Sequence, residues 1–97
     1  KAYQYVNIAS TTITTTSGSK IYLTGNITDK NKNLIPGTKV NIKIGGVDIA
    51  NITSTDGKIN YEYTVTQSKG TYNVLLTALA SDSYYYNSKY MSLKVNS

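Results

Sequence analysis

A strict alternation of apolar and polar residues recurs along this chain and limits its fold more than any other feature of the sequence. Between Ile21 and Thr28 the odd positions are apolar or small, and the even positions are mostly polar. Successive side chains of a β-strand point to opposite faces, so this period of two predicts strands with one buried and one solvent-facing side. The period of 3.6 residues that marks an amphipathic helix is absent. The same alternation occurs in four further segments: Val40–Ile44, Ile59–Thr66, Tyr72–Ala78 and Met91–Asn96.

Residues that favour turns separate these segments. Gly45-Gly46 and Asp56-Gly57 predict tight hairpins, Pro36-Gly37 suits the centre of a type II turn, and residues 68–70 mark another turn. Together with a threonine-rich opening strand around Ile13, the pattern predicts about seven strands at the spacing typical of a β-sandwich or a small barrel. A chain of 97 residues has the size of one domain, so we expect a single domain over residues 1–97.

The composition removes most of the side chains that enzymes use. The chain has no His and no Cys, so it lacks imidazole bases, thiolate nucleophiles and the usual zinc ligands. Among its acidic residues, Asp29 and Asp56 fall in turn sequences and Glu62 falls on the polar side of its strand. We therefore expect no enzymatic activity and no cofactor.

The distribution of charge and hydropathy bears on partners and location. The net charge of +5 comes from ten Lys that are scattered along the chain, and there is no Arg, the residue that dominates specific contacts to bases. We therefore expect no nucleic-acid partner. No apolar run approaches the ~20 residues of a membrane span, so we expect no membrane insertion by this segment. A polar surface without Cys is compatible with an extracellular location at the cell surface.

Three groups of residues follow one another in an order that resembles a known family. They are TDKNKNLIPGTKV at 28–40, TDG at 55–57, and GTYNV at 70–74 with ASDSYY at 80–85 and a closing strand to Val95. This series is similar to the turns and closing strands of bacterial Ig-like repeats. It looks closest to the tandem modules of adhesin-like surface proteins of methanogenic archaea. Leu34 and Ser81 depart from the family pattern, because small Gly-type residues are usual at both positions.

The resemblance implies an Ig-like Greek-key β-sandwich with its core at about residues 11–95. Residues 1–10 would then be a linker or an extra edge strand from a preceding module. The implied function is that of a non-catalytic structural spacer in a multidomain adhesin, whose partners are neighbouring Ig-like modules in the same chain. Some surface Ig-like domains also carry an isopeptide crosslink from Lys to Asn or Asp. That reaction needs a buried acid, and Glu62, the single Glu, is expected to face solvent.

A run of tyrosines is the candidate binding site. Tyr84, Tyr85 and Tyr86 are consecutive, and Tyr90 follows four residues later. Aromatic rings on a loop can stack on sugar faces or anchor a protein contact at a low entropic cost. The competing interpretation is that Tyr84 or Tyr85 packs against the core. The alternative function is therefore direct binding of cell-surface carbohydrate or protein by the Tyr84–Tyr86 loop.

Two further patterns indicate candidate sites. Asp29, Asn31 and Asn33 follow the spacing that opens a calcium-binding loop, but Leu34 stands where that loop needs Gly and no closing Glu follows. The alternative is a polar β-turn. Asn26-Ile27-Thr28 and Asn51-Ile52-Thr53 are acceptor sequences for N-glycosylation, at the number that chance predicts.

Overall fold

The computed structural model describes residues 1–97 and consists of β-strands without a helix. Two sheets, one with strand order β1-β3-β6 and one with strand order β2-β8-β7-β4-β5, form a sandwich. The chain crosses between the sheets after β1, β2, β3, β5 and β6, as in a Greek key. An all-β Ig-like sandwich is therefore confirmed, with eight strands. They are β1 (Tyr5–Ile8), β2 (Thr12–Thr15), β3 (Lys20–Thr28), β4 (Thr38–Ile44), β5 (Val47–Ser54), β6 (Lys58–Thr64), β7 (Gly70–Ala78) and β8 (Asn87–Val95).

The alternation in the sequence decides which face of each strand is buried. In β3, Leu23 and Ile27 are fully buried, while Tyr22 between the apolar positions is exposed. In β4, the buried Ile42 alternates in the same way with half-buried polar neighbours. The inward side chains of both sheets meet in one apolar core. Its sixteen members are Val6, Ile21, Leu23, Ile27, Ile35, Val40, Ile42, Ile44, Ile59, Val65, Val74, Leu76, Ala78, Met91, Leu93 and Val95.

The first fifteen residues contribute a strand to each sheet. β1 pairs antiparallel with β3, and β2 pairs parallel with β8. Residues 1–10, for which the sequence indicates a linker or an extra edge strand, thus contain an edge strand whose Val6 is part of the core. Gly25 allows this pairing, because a Cβ at that position would collide with the backbone carbonyl of Asn7. From the sequence alone, these four residues show too little alternation to decide between the two alternatives.

The two glycine turns have different roles. Gly45-Gly46 forms the predicted hairpin between β4 and β5, with φ angles of 58° and 80° that suit a type I′ turn. The hairpin predicted at Asp56-Gly57 is wrong, because β5 and β6 belong to different sheets. There the Lys58 N–H donates to Asp56 Oδ1 at 2.9 Å, and the turn carries the chain across the sandwich. An Asp-Gly pair favours a reversal of the chain, but it does not select the strand that the chain meets next.

Tyr72 stabilises the connection between β6 and β7. Its ring packs against the core, and its hydroxyl donates to the backbone carbonyl of Ser68 at 2.8 Å. This is the arrangement of a tyrosine corner, in which a Tyr near the start of a strand bonds to the backbone a few residues upstream. The tyrosine therefore joins the core to a turn that has few apolar contacts of its own.

We expect Tyr72→Phe to lower the free energy of unfolding by about 1 kcal/mol, because the Ser68 carbonyl loses its donor while the ring stays in place. Chemical denaturation measures this difference. Tyr22→Phe is the matched control, since Tyr22 is exposed on the outer face of β3, and it should change stability by less than about 0.5 kcal/mol. Equal effects of the two substitutions would contradict the role of the Tyr72 hydroxyl.

Candidate binding site

The run of tyrosines occupies the end of the β7–β8 loop, and its members differ in exposure. Tyr84 is half-buried and packs against the core, whereas Tyr85 and Tyr86 are exposed. Tyr90 lies within β8, where its side chain points outward because Met91 on the next position points into the core. The structure therefore separates Tyr90, on the outer face of the five-stranded sheet, from the three tyrosines of the loop.

The N-terminal residues lie against this loop. The Ala2 N–H donates to the Ser83 carbonyl at 2.8 Å, and the Tyr85 N–H donates to the Ala2 carbonyl at 3.0 Å. These bonds form a parallel bridge between Ala2 and Tyr84. The chain before β1 is thereby held in place by backbone hydrogen bonds.

Gln4 is the buried polar residue that fastens the two segments together. Its side chain is 2% exposed, and Nε2 donates to the carbonyls of Leu79 at 3.0 Å and Tyr85 at 2.7 Å. In return, Asn87 Nδ2 donates to the Gln4 carbonyl at 2.8 Å. A buried amide that makes these bonds avoids the cost of desolvation and ties both ends of the β7–β8 loop to the N-terminal segment.

Tyr3 and Tyr85 form an aromatic pair at the same end of the sandwich. Their ring centroids lie 5.3 Å apart with an angle of 36° between the planes. Lys1 Nζ lies 5.8 Å from the centroid of the Tyr85 ring, within the range of a cation–π contact. The exposed ring of Tyr85 is therefore partly covered by the chain itself.

A cleft opens between the N-terminal segment and the loop that joins β3 to β4. It has a volume of about 270 Å³, and we refer to it as the N-terminal cleft. The structure thus brings Tyr84 from the tyrosine run together with Asp29 and Asn31 from the candidate calcium loop. Tyr85, Tyr86 and Tyr90 do not line it, and Asn33 lies outside it. Its lining residues are Ala2, Tyr3, Tyr5, Asp29, Lys30, Asn31 and Tyr84.

Asp29 shapes the wall of the cleft by closing its own loop. Oδ1 accepts hydrogen bonds from the backbone N–H groups of Asn31 at 2.8 Å and Asn33 at 3.0 Å. Oδ2 has one long contact, 3.5 Å from Asn33 Nδ2. The bond from the Asn33 backbone N–H contributes most to lowering the pKa of Asp29 below its ordinary value of 3.8; partial burial opposes this, and the Asn31 N–H and Lys30 add to the lowering. Carboxylates that accept backbone N–H bonds are stabilised in the ionised form.

This geometry does not fit a calcium site as it stands. The carboxylate oxygen Oδ1 points into the loop backbone, and the amide nitrogen of Asn33, which cannot bind a cation, faces Oδ2. No group of three or more His, Cys, Asp or Glu side chains lies together anywhere in the structure. To bind calcium, Asp29, Asn31 and Asn33 would have to exchange the bonds of a polar turn for bonds to the ion.

The two acceptor asparagines lie on opposite outer faces of the sandwich. Asn26 is half-buried in β3, and its Oδ1 accepts a bond from Asn7 Nδ2 at 3.0 Å. Asn51 is exposed in β5, and its Oδ1 accepts a bond from Asn41 Nδ2 at 2.9 Å. In both cases the oxygen is used in the fold and the nitrogen, which would carry a glycan, is not. Glycosylation of either residue stays a prediction.

The single Glu lies on the surface. Glu62 Oε1 is 3.3 Å from Lys20 Nζ on the outer face of the three-stranded sheet, and the side chains are 51% and 65% exposed. Such a surface pair contributes little to stability. An acid that assists an isopeptide bond has to be desolvated, and Glu62 in this position is not.

Sequence reasoning missed Tyr3, Tyr5 and Gln4. All three lie in residues 1–10, whose sequence was interpreted as lying outside the core of the domain. The sequence signal for a strand here is short: the apolar residues Val6 and Ile8 lie two positions apart, directly after three polar or aromatic residues. That spacing is compatible with a short strand, but only the tertiary structure shows that Tyr3 and Gln4 contact Tyr85 and that Tyr5 shares a cleft with Tyr84.

Comparison with known proteins supports the fold. The chain is similar to the fibronectin(III)-like modules of Clostridium thermocellum CbhA, with a TM-score of 0.70 and 13% sequence identity. The similarity covers 99% of this chain and 48% of that chain, so this chain spans about half the length of the protein it matches. No protein-family model and no curated protein matches the sequence. The structure also holds no helix with the length and hydropathy needed to reach across a membrane.

We expect Gln4→Ala to lower the free energy of unfolding by about 1–3 kcal/mol, because the carbonyls of Leu79 and Tyr85 lose their donor. Amide exchange at Tyr85 should also accelerate, since its bond to Ala2 depends on the docked N-terminal segment. Chemical denaturation and hydrogen exchange measure the two effects. Ser10→Ala, in the same segment but exposed, should change stability by less than about 0.5 kcal/mol. A Gln4→Ala protein as stable as the parent would show that the bonds of Gln4 contribute nothing.

The loop closed by Asp29 should respond to acid. Because the pKa of Asp29 is lowered in the folded state, its stabilising bonds are intact above the ordinary pKa and are lost as the pH falls through the folded pKa. The amide signals of Asn31 and Asn33 in a ¹H–¹⁵N NMR titration should therefore shift together with a midpoint below 3.8. Asp29→Asn should remove this transition. A midpoint at or above 3.8 would contradict the described bonds.

Proposed function

We propose that this chain is a non-catalytic, extracellular Ig-like module that serves as a structural spacer in a tandem array of an adhesin-like cell-surface protein. The observation that carries the proposal is the placement of the two ends of the chain. Ala2 bridges to Tyr84, before β8 begins, and the carbonyl of Ser97 accepts a bond from Ser17 N–H beyond the end of β8. The first and last residues therefore lie at opposite ends of one strand.

The direction of β8 matches the long axis of the molecule. The strand has nine residues, which at ~3.3 Å per residue span about 30 Å. The molecule measures 43 × 21 × 18 Å, so a strand of that length has to run along the longest dimension. Modules joined end to end in one chain would therefore extend in a row, and each would add most of its length to the stalk.

The strand pairing suits a module that carries tension. β2 and β8 run parallel, from the pair Thr12 and Ser92 to the pair Thr15 and Val95. A pull on the N-terminal end draws β2 in one direction while a pull on the C-terminal end draws β8 in the other. The hydrogen bonds between the strands are then loaded together in shear instead of being opened one after another.

Further support comes from the sequence. The Ig-like turn series resembles the tandem modules of methanogen adhesin-like proteins, whose neighbouring Ig-like modules would be the partners of this one. The absence of His and Cys leaves few reactive side chains, as suits a part with a mechanical role. The similar chain of CbhA fibronectin(III)-like modules is about twice as long as the part that matches this chain. A chain with more than one such module is the kind of array that we propose here.

We expect Asn96→Pro to weaken the module under tension. The Asn96 N–H donates to the Thr15 carbonyl at 2.9 Å, and proline has no such donor. In single-molecule pulling of directly joined copies, the variant should unfold at a lower force than the parent, and its equilibrium stability should fall by about 1 kcal/mol.

Asn96→Ala is the matched control, because it shortens the same side chain and keeps the backbone donor. It should unfold at the force of the parent. The end-to-end length of the joined copies before unfolding tests whether the modules form an extended row, because each added copy should lengthen such a row by up to 43 Å. Copies that fold back on one another, or a proline variant as strong as the parent, would contradict the proposal.

A further inference from the structure

The N-terminal cleft joins aromatic rings to polar groups that come from different parts of the chain. Tyr3 and Tyr5 come from the N-terminal segment, Tyr84 from the β7–β8 loop, and Asp29 and Asn31 from the β3–β4 loop. Rings offer apolar faces that pack against C–H groups, while a few placed polar groups give a ligand its orientation. This combination matches a sugar ring, which has a C–H face and a rim of hydroxyls.

The polar groups of the cleft are free for a ligand. Asp29 uses Oδ1 in its loop, but Oδ2 retains most of its capacity to accept hydrogen bonds. Asn31 is bound to the fold through its backbone N–H, and its side-chain amide makes no bond within the chain. The tyrosine hydroxyls of the cleft are also free. The hydroxyls of Tyr63 and Tyr72, outside the cleft, bond to Gln67 and Ser68. The hydroxyls of the three cleft tyrosines make no hydrogen bond within the chain.

The walls of the cleft are held in position before any ligand binds. Gln4 and the Ala2 bridge fix the N-terminal segment. The bonds of Asp29 fix the opposite loop, where Lys32 adopts a positive φ of 66°. Binding to preordered walls avoids the entropic cost of ordering a loop. The cleft can therefore hold a small ligand with few contacts.

Size and charge narrow the class of ligand. At about 270 Å³, the cleft lies below the ~300–1,000 Å³ of pockets that enclose drug-sized molecules. Protein interfaces cover ~800 Å² on each partner, which a cleft of this size cannot supply. Its charged groups, Asp29 and Lys30, are of opposite sign. The cleft therefore favours neither anions nor cations.

We propose that the N-terminal cleft binds one neutral pyranose residue, either free or at the end of a glycan. Tyr5 and Tyr84 supply apolar faces, and Asp29 Oδ2 and the Asn31 amide accept and donate hydrogen bonds to the hydroxyls. The proposal can be tested apart from the spacer function, because the strands that carry tension, β2 and β8, do not line the cleft. The pulling experiment and the sugar experiment can therefore fail separately.

NMR titration of the whole chain with simple sugars tests this proposal. The probes are methyl β-glucoside, methyl β-galactoside, methyl α-mannoside and N-acetylglucosamine, with glucuronic acid as the charged comparison. At least one neutral sugar should shift the amides of residues 2–5, 29–31 and 84 in a saturable manner. A dissociation constant of about 1 mM is expected for a ligand of this size in a shallow site.

Two variants test the contacts. Tyr5→Ala removes an aromatic ring from the cleft. Asn31→Ala removes a side-chain amide that makes no hydrogen bond within the fold, so this second variant stays informative if Tyr5→Ala destabilises the protein. Each should weaken binding by about tenfold or more. Tyr90→Ala, an exposed tyrosine outside the cleft, should bind as the parent does.

Several results would overturn the proposal. One is the absence of any saturable shift with the four neutral sugars, and another is binding of glucuronic acid alone. A third is a set of shifts centred on Tyr90 and its neighbours Lys43 and Asn73, which line a separate depression on the five-stranded sheet. Unchanged affinity in a folded Asn31→Ala protein would also refute the assigned site.

Discussion

The contact between the two sheets is the interaction on which the rest of the molecule depends. Leu23 and Ile27 from one sheet meet Val40 and Ile42 from the other, and all four are fully buried. Removing apolar surface from water stabilises the fold by ~25 cal/mol per Å², and the chain has no Cys that could add a disulfide. The loops at the ends of the sandwich have few apolar contacts, so their positions follow from the strands that enter and leave this core.

The docking of the N-terminal segment fixes the position of the β7–β8 loop at one end of the sandwich. Val6 enters the core, while Gln4 is buried two residues earlier and its side-chain amide donates to the β7–β8 loop. Because a buried amide is costly without partners, its bonds to the β7–β8 loop select one position of the segment. The proposed spacer and the proposed sugar site both depend on this attachment. The attachment sets where the chain enters the module, and the attached segment forms one wall of the cleft.

Prediction from the sequence succeeded where the information is local and periodic. The alternation around Leu23, Ile42 and Leu93 identified the strands and their inward faces, and Gly45-Gly46 identified a hairpin, because two positive φ angles suit that turn. It failed at Asp56-Gly57, where the residues specify a turn but not the sheet that follows. At β1 it left a linker and an edge strand both open, since four residues carry too little pattern and their pairing depends on partners seventeen or more positions away.

The sequence by itself determined that this chain forms strands and which of their faces are buried, while the Ig-like arrangement of the set was implied by the resemblance of its turn series to Ig-like repeats. These properties depend on side-chain alternation and turn residues, which act over a few positions. Only the tertiary structure decided that Tyr84, Asp29 and Tyr5 line one cleft while Tyr90 lies on another surface. Residues from three distant parts of the chain become neighbours through the pairing and crossing of strands, and that pairing is set by the packing of the whole core.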